Sequence, residues 1–268
     1  MSLAHRGRVL VIAGSDSGGG AGIQADIKTV TILGGYAATA VTAITVQNTL
    51  GVTDVLPIPV EVIEAQGRAV LDDIGADAIK TGMLGDVATV EAVARLIDHV
   101  AEAPAVIDPV MIAKGGAALL PGAAVGAVQS LLVPRAALLT PNAPEAATLT
   151  GLATETTDDL RRAGERLLAA GAKAVLMKGG HIPGEQVVDV LMTADGEATF
   201  AGARIHTRHT HGTGCSLASA CAAGLAQGLS LQAAVARATT YVREALLHAP
   251  GFGAGHGPLD HGWPTRRT

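Results

Sequence analysis

The chain has 268 residues, a length typical of one large α/β domain that can bury an apolar core without disulfides or metals. Hydrophobic residues make up 49% of it but aromatic residues only 2%, so the core is expected to consist of Ala, Val, Leu and Ile. The formal net charge is −5, no basic run indicates a nucleic-acid-binding face, and no unbroken apolar run is long enough to span a membrane.

Short apolar runs alternate with helix-like segments along the whole chain. Strands are predicted at residues 8–13, 36–46, 52–59, 76–81, 105–108, 136–140, 173–178, 186–193 and 197–205. Helices are predicted at residues 21–33, 60–74, 87–100 after an Asp86 cap, 121–132, 143–150, 158–170 after a Thr157 cap, 213–227 and 231–248. Asp195-Gly196 predicts a hairpin turn between the last two strands.

This alternation predicts a single doubly wound α/β domain over residues 1–268, with a mostly parallel sheet. Ligands of such folds bind beyond the carboxyl ends of the strands. The polar, glycine-containing loops after the strands are therefore where a site is expected. These loops are residues 14–20, 47–51, 81–85, 108–116, 140–145, 178–184 and 209–215.

Residues 211–216 read His-Gly-Thr-Gly-Cys-Ser directly before an Ala-rich helical pattern. Backbone N–H groups without an acceptor at a helix start, together with the positive end of the helix dipole, bind anions. The same positive potential should favour the thiolate form of Cys215. The alternative is a glycine turn before a surface helix with a small buried cysteine. Cys221 lies on the same predicted helix and points elsewhere, so no disulfide is expected, which fits a reducing compartment.

Three strand ends carry charged residues. Asp108 could hold Mg²⁺ through water or cap a turn, and the glycines that follow it indicate a lid at residues 111–118. Asn142 and Glu145 have the spacing of a capping box; alternatively Asn142 contacts a phosphate and Glu145 a magnesium-bound water. Lys178 follows a buried strand. A lysine in such a position is expected to have a negatively charged partner, and a triphosphate would supply one.

A second group of residues suits a nitrogen heterocycle. Asp26 and Gln47 offer a carboxylate and an amide that could bind its edge, while Met83 and Val110 could cover its face. Taken alone, Asp26 fits a solvated carboxylate on a helix.

Other site classes fit less well. Residues 20–25 match G-x-G-x-x-A, but the next strand ends without an acid for a ribose, which disfavours a dehydrogenase. No G-x-x-x-x-G-K-[ST] motif is present. His206, His209 and His211 lie close together, yet no fourth ligand or zinc motif accompanies them, so they are interpreted as strand and loop histidines.

The motifs together resemble a known family over nearly the whole chain. They are AGSDSGGGAGIQAD at residues 13–26, TAITVQNT at 42–49, KTGML at 80–84, DPVM at 108–111, TPN at 140–142 with Glu145, KGGH at 178–181 and THGTGC at 210–215. In this set and order the sequence resembles hydroxymethylpyrimidine/phosphomethylpyrimidine kinase, a ribokinase-like enzyme of thiamine biosynthesis.

The resemblance implies a ribokinase-like three-layer α/β/α domain with a mostly parallel central sheet and a few antiparallel edge strands. It also implies a cytoplasmic homodimer that uses ATP and Mg²⁺. The expected reaction is phosphorylation of 4-amino-5-hydroxymethyl-2-methylpyrimidine to its monophosphate and then to the diphosphate. No nucleic-acid or membrane partner is expected.

The resemblance also implies roles for individual residues. The pyrimidine pocket would consist of Gly14, Asp26, Gln47, Met83 and Val110. The ATP side would consist of Asp108, Thr140, Asn142, Glu145, Lys178 and Thr213, with Asp108 and Glu145 holding Mg²⁺ through water. Gly212, Thr213, Gly214 and Cys215 would form an anion hole, assisted by Lys178. The sequence departs from the family pattern at Ser216, where Thr is expected, and at Arg208-His209, where a more acidic or amide residue is expected.

Sugar kinases of the superfamily place an Asp where this chain has Cys215, so a Cys215 thiolate is expected to accept the hydroxymethyl proton. Two other functions are weighed. A pyridoxal kinase, or an enzyme with both activities, would share the fold, but Gln47 beside Asp26 suits an aminopyrimidine edge. A non-catalytic ligand-binding protein would not need Asp108, Glu145, Lys178 and Cys215 together.

Overall fold

The structure is a computed structural model that describes residues 7–111 and 121–266. The strands of this part of the chain are β1 (Arg8–Asp16), β2 (Tyr36–Asn48), β3 (Gly51–Pro57), β4 (Ala78–Thr81), β5 (Ala105–Ile107), β6 (Ala136–Leu139), β7 (Ala174–Met177), β8 (Gln186–Thr193) and β9 (Gly196–Ala203). The helices are α1 (Gly22–Ile32), α2 (Val60–Asp73), α3 (Val87–His99), α4 (Gly122–Ala127), α5 (Ala143–Thr150), α6 (Thr157–Ala169), α7 (Thr213–Ala226) and α8 (Leu231–Leu247).

The described strands form one sheet in the order β3-β2-β1-β4-β5-β6-β7-β8-β9. The central pairs from β2 to β7 are parallel, whereas β3 at one edge and β8 and β9 at the other are antiparallel. The sequence predicted this mixed sheet, because central runs such as residues 105–107 are apolar throughout and are buried on both faces.

Helices cover both faces of the sheet and enclose two apolar cores. Alternate residues of β1 divide between them, with Leu10 and Ile12 in one core and Val9 and Val11 in the other. The first core includes side chains of α2, α3, α5 and α6, and the second includes side chains of α1, α7 and α8. The three-layer α/β/α architecture is therefore confirmed. Within the described residues, no helix is both long enough and apolar enough to cross a membrane.

Three local predictions are wrong. β1 continues through Gly14 to Asp16, because a register shift after Ala13 lets Ser15 and Asp16 pair with β2. The predicted helix at residues 121–132 ends as α4 at Ala127 and continues as a π turn and a 3₁₀ turn, since the ring and missing N–H of Pro134 prevent a regular α-helix there. The cap of α6 is Thr156, whose hydroxyl accepts the Asp159 amide, and not Thr157.

Candidate functional site

A cavity of about 630 Å³ lies at the carboxyl ends of the parallel strands, where the loops after β1, β4, β5, β6 and β7 meet. The predicted site residues that line it are Gly14, Gln47, Met83, Asp108, Val110, Asn142, Glu145, Lys178, Gly212, Thr213, Gly214 and Cys215. Asp26 and Thr140 do not line it. The predicted lid falls largely on residues 112–118, which lie outside the described part of the chain.

The start of α7 forms one wall of the cavity. Gly212 caps the helix in the left-handed conformation, with φ 86°, and a Cβ there would lie 1.8 Å from the carbonyl oxygen of Gly20. No side chain caps α7, and among the described residues the amides of Gly214 and Cys215 have no acceptor. Open amides at the positive end of a helix attract anions, so the geometry supports an anion site.

Lys178 follows β7 and lies between two carboxylates. Its Nζ is 3.0 Å from Oδ1 of Asp108 and 3.9 Å from Oε2 of Glu145. Burial acts to lower the pKa of Lys178, but the charges of Asp108 and Glu145 outweigh it and raise the pKa above its usual value. A Cβ on Gly214 would lie 3.2 Å from Nζ, so this largely buried cation adjoins the start of α7.

Glu145 forms the predicted capping box and also faces the cavity. Its carboxylate accepts the Asn142 amide at 2.8 Å while the Asn142 side chain accepts the Glu145 amide at 2.9 Å, which confirms the capping box. Both side chains also line the cavity. Burial raises the pKa of Glu145 to about 7, and Asp108 adds to the rise although Lys178 opposes it. Glu145 therefore changes its charge near neutral pH.

Thr140 does not line the cavity but contacts Asp108, which does. Its hydroxyl lies in the interior, 3.1 Å from Oδ1 of Asp108, the oxygen that also accepts Lys178. The Asp108 side chain therefore does not cap a turn, and among the described residues no donor reaches its Oδ2. An acidic oxygen without a protein partner in a cavity suits a hydrated Mg²⁺.

The prediction that the field of α7 favours the thiolate of Cys215 is wrong for this arrangement. Burial raises the pKa of the thiol to about 11. Lys80 acts to lower that pKa, whereas Asp26 and Asp108 raise it further. Loss of hydration therefore outweighs the favourable charge of Lys80.

Asp26 is fully buried and is not a solvated helix carboxylate. Both of its oxygens bind Nζ of Lys80, at 2.8 and 2.9 Å, and Oδ1 also accepts the Ser219 hydroxyl at 2.6 Å. Lys80 has no exposed surface either. The structure thus does not place Asp26 in contact with a ligand in the cavity. The sequence motif at residues 80–84 contains Lys80, but no local pattern indicated its partner 54 residues away.

Another part of the cavity is lined by Gln47, Met83 and Val110, the residues predicted to form a pyrimidine pocket. Met83 packs directly on Gly14, where a Cβ would lie 2.5 Å from its Cε. Gln47 lies between the Thr45 hydroxyl, at 3.1 Å, and Nε2 of His211, at 3.3 Å. This end of the cavity therefore combines an amide with apolar surfaces, which suits a flat polar ring.

The opposite end of the cavity consists of residues that sequence reasoning missed. Phe200 of β9 and Val242 and Leu246 of α8 form an apolar wall there, and Arg243 packs over Gly202. Their sequence pattern is that of ordinary amphipathic elements, so only the fold shows that they share a cavity with Lys178.

Known proteins resemble this chain in sequence and in fold. A family model described as phosphomethylpyrimidine kinase matches residues 16–260. The hydroxymethylpyrimidine/phosphomethylpyrimidine kinase of Streptomyces coelicolor is 49% identical over 255 residues, covering 95% of this chain and 94% of that protein. The enzyme of the same name from Bacillus subtilis is 48% identical, with coverage of 95% and 94%. A solved ADP complex of Bacillus subtilis pyridoxal kinase superposes with a TM-score of 0.91 at 36% identity, covering 97% of this chain and 100% of that one. The chain belongs to the phosphomethylpyrimidine kinase family.

Proposed function

From its membership of this family we propose that the protein transfers the γ-phosphoryl group of ATP to the hydroxymethyl oxygen of 4-amino-5-hydroxymethyl-2-methylpyrimidine. It then transfers a second phosphoryl group to the monophosphate, and the two steps serve thiamine biosynthesis. The observation that carries the proposal is the position of Lys178. It adjoins the open amides of α7 and two carboxylates, in the same cavity as Gln47.

Different residues of the cavity would have different roles in phosphoryl transfer. The Gly214 and Cys215 amides and the Lys178 ammonium would face the negative charge of the transferring group, which is where such reactions need stabilisation. Phe200, Val242 and Leu246 would hold the adenine at the other end. Gln47, Met83 and Val110 would position the pyrimidine so that its hydroxymethyl group points toward α7.

Magnesium fits the acidic groups of this site. Asp108, through its unpartnered Oδ2, and Glu145 would hold the ion through water. When bound, Mg²⁺ supplies positive charge that offsets the charge of the phosphates. Thr140 and Lys178 keep the Asp108 carboxylate in place for this role, since both donate to its Oδ1.

Cys215 would accept the proton of the hydroxymethyl group in the first step, as the O–P bond forms and ADP leaves. Its high pKa means that the thiol is protonated at neutral pH in the arrangement described, so the thiolate must be favoured in the complex. The buried charge of Lys80 acts in that direction. The second step needs no such base because its phosphate oxygen is already ionised.

The decisive experiment is an ATP-consumption assay with four acceptors in parallel: the pyrimidine alcohol, its monophosphate, pyridoxal and pyridoxine. We expect turnover with the first two, and ³¹P NMR should identify the mono- and diphosphate products. A Lys178→Met preparation, purified in the same way, controls for contaminating kinases. Turnover of pyridoxal alone would contradict the proposal and support a pyridoxal kinase, the alternative that the structural similarity to the Bacillus subtilis enzyme favours. Ligand-dependent stabilisation without any turnover would instead support a binding protein.

We also propose that the protein is a homodimer that pairs through β2 and β3. Ile44, Val46 and Leu56 project from one face of this hairpin and are 46%, 57% and 62% exposed, although they are large and apolar. β3 is also an edge strand, and a second copy would cover this surface. Light scattering should give the mass of a dimer for the wild type and of a monomer for Leu56→Glu. A monomeric wild type would contradict this proposal. The cytoplasmic location stays a prediction.

A further inference from the structure

His211 was grouped with two neighbouring histidines by sequence, but the structure separates it from them. Its ring is buried and packs on Gly20, where a Cβ would lie 2.5 Å from Cδ2. Its own amide donates to Gly257, and the next residue is Gly212, the cap of α7. The ring is therefore held in one place between the anion hole and the loop after β1.

The hydrogen bonds of His211 determine where its proton lies. Nε2 is 2.8 Å from Oδ2 of Asp16, a carboxylate that also accepts the amides of Gly18, Gly20 and Ala21. Burial acts to raise the pKa of Asp16, but these hydrogen bonds outweigh it and hold the pKa below its usual value. An ionised carboxylate only accepts hydrogen bonds, so Nε2 carries a proton and donates it to Asp16.

The same proton selects one orientation of the Gln47 amide. The amide nitrogen of Gln47 is placed 3.3 Å from Nε2 and its oxygen 3.1 Å from the Thr45 hydroxyl, but the hydrogen-bond network decides which end is which. A protonated Nε2 has no lone pair for an N–H to donate to, so the end that faces it must be the carbonyl oxygen, which shares the Nε2 proton with Asp16 in a three-centre hydrogen bond. The amide nitrogen then donates to Thr45, whose own proton goes to the Ser15 carbonyl at 2.8 Å. With the amide reversed, two N–H groups would face each other.

In this orientation Gln47 keeps one acceptor site on its oxygen and one N–H free. A 4-aminopyrimidine presents the matching pair, an amino donor beside a ring-nitrogen acceptor. A 4-oxopyrimidine presents a carbonyl acceptor beside an N–H donor, which is the reverse. We propose that His211 is a positioning residue that fixes the Gln47 amide and thereby makes the cavity selective for the amino form of the pyrimidine. This inference rests on the proposed substrate class.

The test measures a ratio of affinities. Calorimetric titration, without ATP, gives the Kd of 4-amino-5-hydroxymethyl-2-methylpyrimidine and of its 4-oxo analogue for each variant. We expect the wild type to prefer the amino compound by about a hundredfold. The analogue loses both hydrogen bonds to Gln47, and it places its carbonyl against the Gln47 oxygen and its N–H against the Gln47 N–H. In His211→Phe, which keeps a ring but has no donor, the preference should fall at least about tenfold, since the Gln47 amide can then rotate.

Two further variants separate positioning from general damage. His211→Gln returns an N–H close to the Nε2 position and should restore much of the preference. His206→Phe alters an exposed histidine that pairs only with the surface residue Glu185, and it should leave both Kd values unchanged. If melting curves show that His211→Phe is unfolded, His211→Asn replaces it, because its amide ends short of the Nε2 position.

The outcomes are distinguishable. In His211→Phe and His211→Asn, both Kd values could rise together while their ratio stays at the wild-type value. That result would overturn the role of His211. An unchanged preference in Gln47→Ala would overturn it as well. Failure of the wild-type protein to bind the amino compound at all would contradict the proposed function itself.

Discussion

Two lysines lie near the carboxyl ends of the parallel strands, one fully buried and one slightly exposed, and their surroundings differ. Lys80 on β4 lies in a sealed site, formed with Asp26 and Ser219, that has no exposed surface at Asp26 or Lys80. Lys178 after β7 lies in an open site, formed with Asp108 and Glu145, that borders the cavity. The sealed site balances one cation against one carboxylate, whereas the open site sets one cation against two.

This difference assigns different roles to the same residue type. A neutral, closed ion pair has no use for a further ligand, and it fixes α1, β4 and α7 to one another. An excess carboxylate beside a cavity attracts a cation, while the lysine can still face a phosphate. The structure therefore separates a lysine that holds the fold together from one that is available for chemistry.

Breaking the sealed site should have the largest effect on stability. Lys80→Met leaves the Asp26 carboxylate buried without a counter-charge, and we expect the free energy of unfolding to fall by about 3–5 kcal/mol. Urea unfolding measures this. Asp26→Asn combined with Lys80→Met removes both charges and should recover part of the loss. A double variant no more stable than Lys80→Met would show that the pair matters for packing rather than charge.

Breaking the open site should affect the reaction instead. Lys178→Met removes the cation that faces the transferring group, and we expect kcat to fall by about 10²–10³-fold. Its free energy of unfolding should change far less than in Lys80→Met, because water in the cavity can solvate the carboxylates. The exposed Lys173→Met, at the opposite end of β7, is the matched control. If the free energy of unfolding falls as much in Lys178→Met as in Lys80→Met, the proposed difference between the two sites is wrong.

Cys215 lies between the two sites, and its variant sharpens the comparison. Cys215→Ala should slow the first phosphorylation by about 10²-fold, because a proton acceptor is lost, and the second by much less. Single-turnover measurements with the alcohol and with the monophosphate give the two rate constants. Cys221→Ala, in the core behind the site, should change neither. Equal losses in both steps would mean that Cys215 only shapes the start of α7.

The smallest expected effect concerns the charge of Glu145 in the open site. Its pKa of about 7 lies above the ordinary 4.5, so the folded state binds more protons than the unfolded state between these values. The free energy of unfolding should therefore fall, by roughly 2–3 kcal/mol, as pH rises from 4.5 to 7. Glu145→Gln should flatten this dependence in metal-free urea titrations. The exposed Glu165→Gln should keep it, and a wild-type curve that is flat or rises would contradict the shift.

Sequence patterns predicted the parts of the molecule that depend on neighbouring residues. The Asn142–Glu145 capping box and the apolar run of β1 are local, and the family resemblance identified the loops that line the cavity. Two contacts had no local signal. Asp26 meets Lys80 across 54 residues and Asp16 meets His211 across 195, and the packing of α1 and α7 against the sheet brings these segments together. The pKa of Cys215 was mispredicted because burial depends on the whole fold.

The contact between Gly20 and Gly212 limits how this cavity can be redesigned. The two glycines touch backbone to backbone, since a single added carbon at Gly212 would overlap the Gly20 carbonyl. Any side chain there would push apart the loop after β1 and the start of α7 at once. Laboratory evolution toward a new acceptor should therefore keep both glycines and accumulate changes at Gln47 and Met83, whose side chains line the cavity away from this backbone contact.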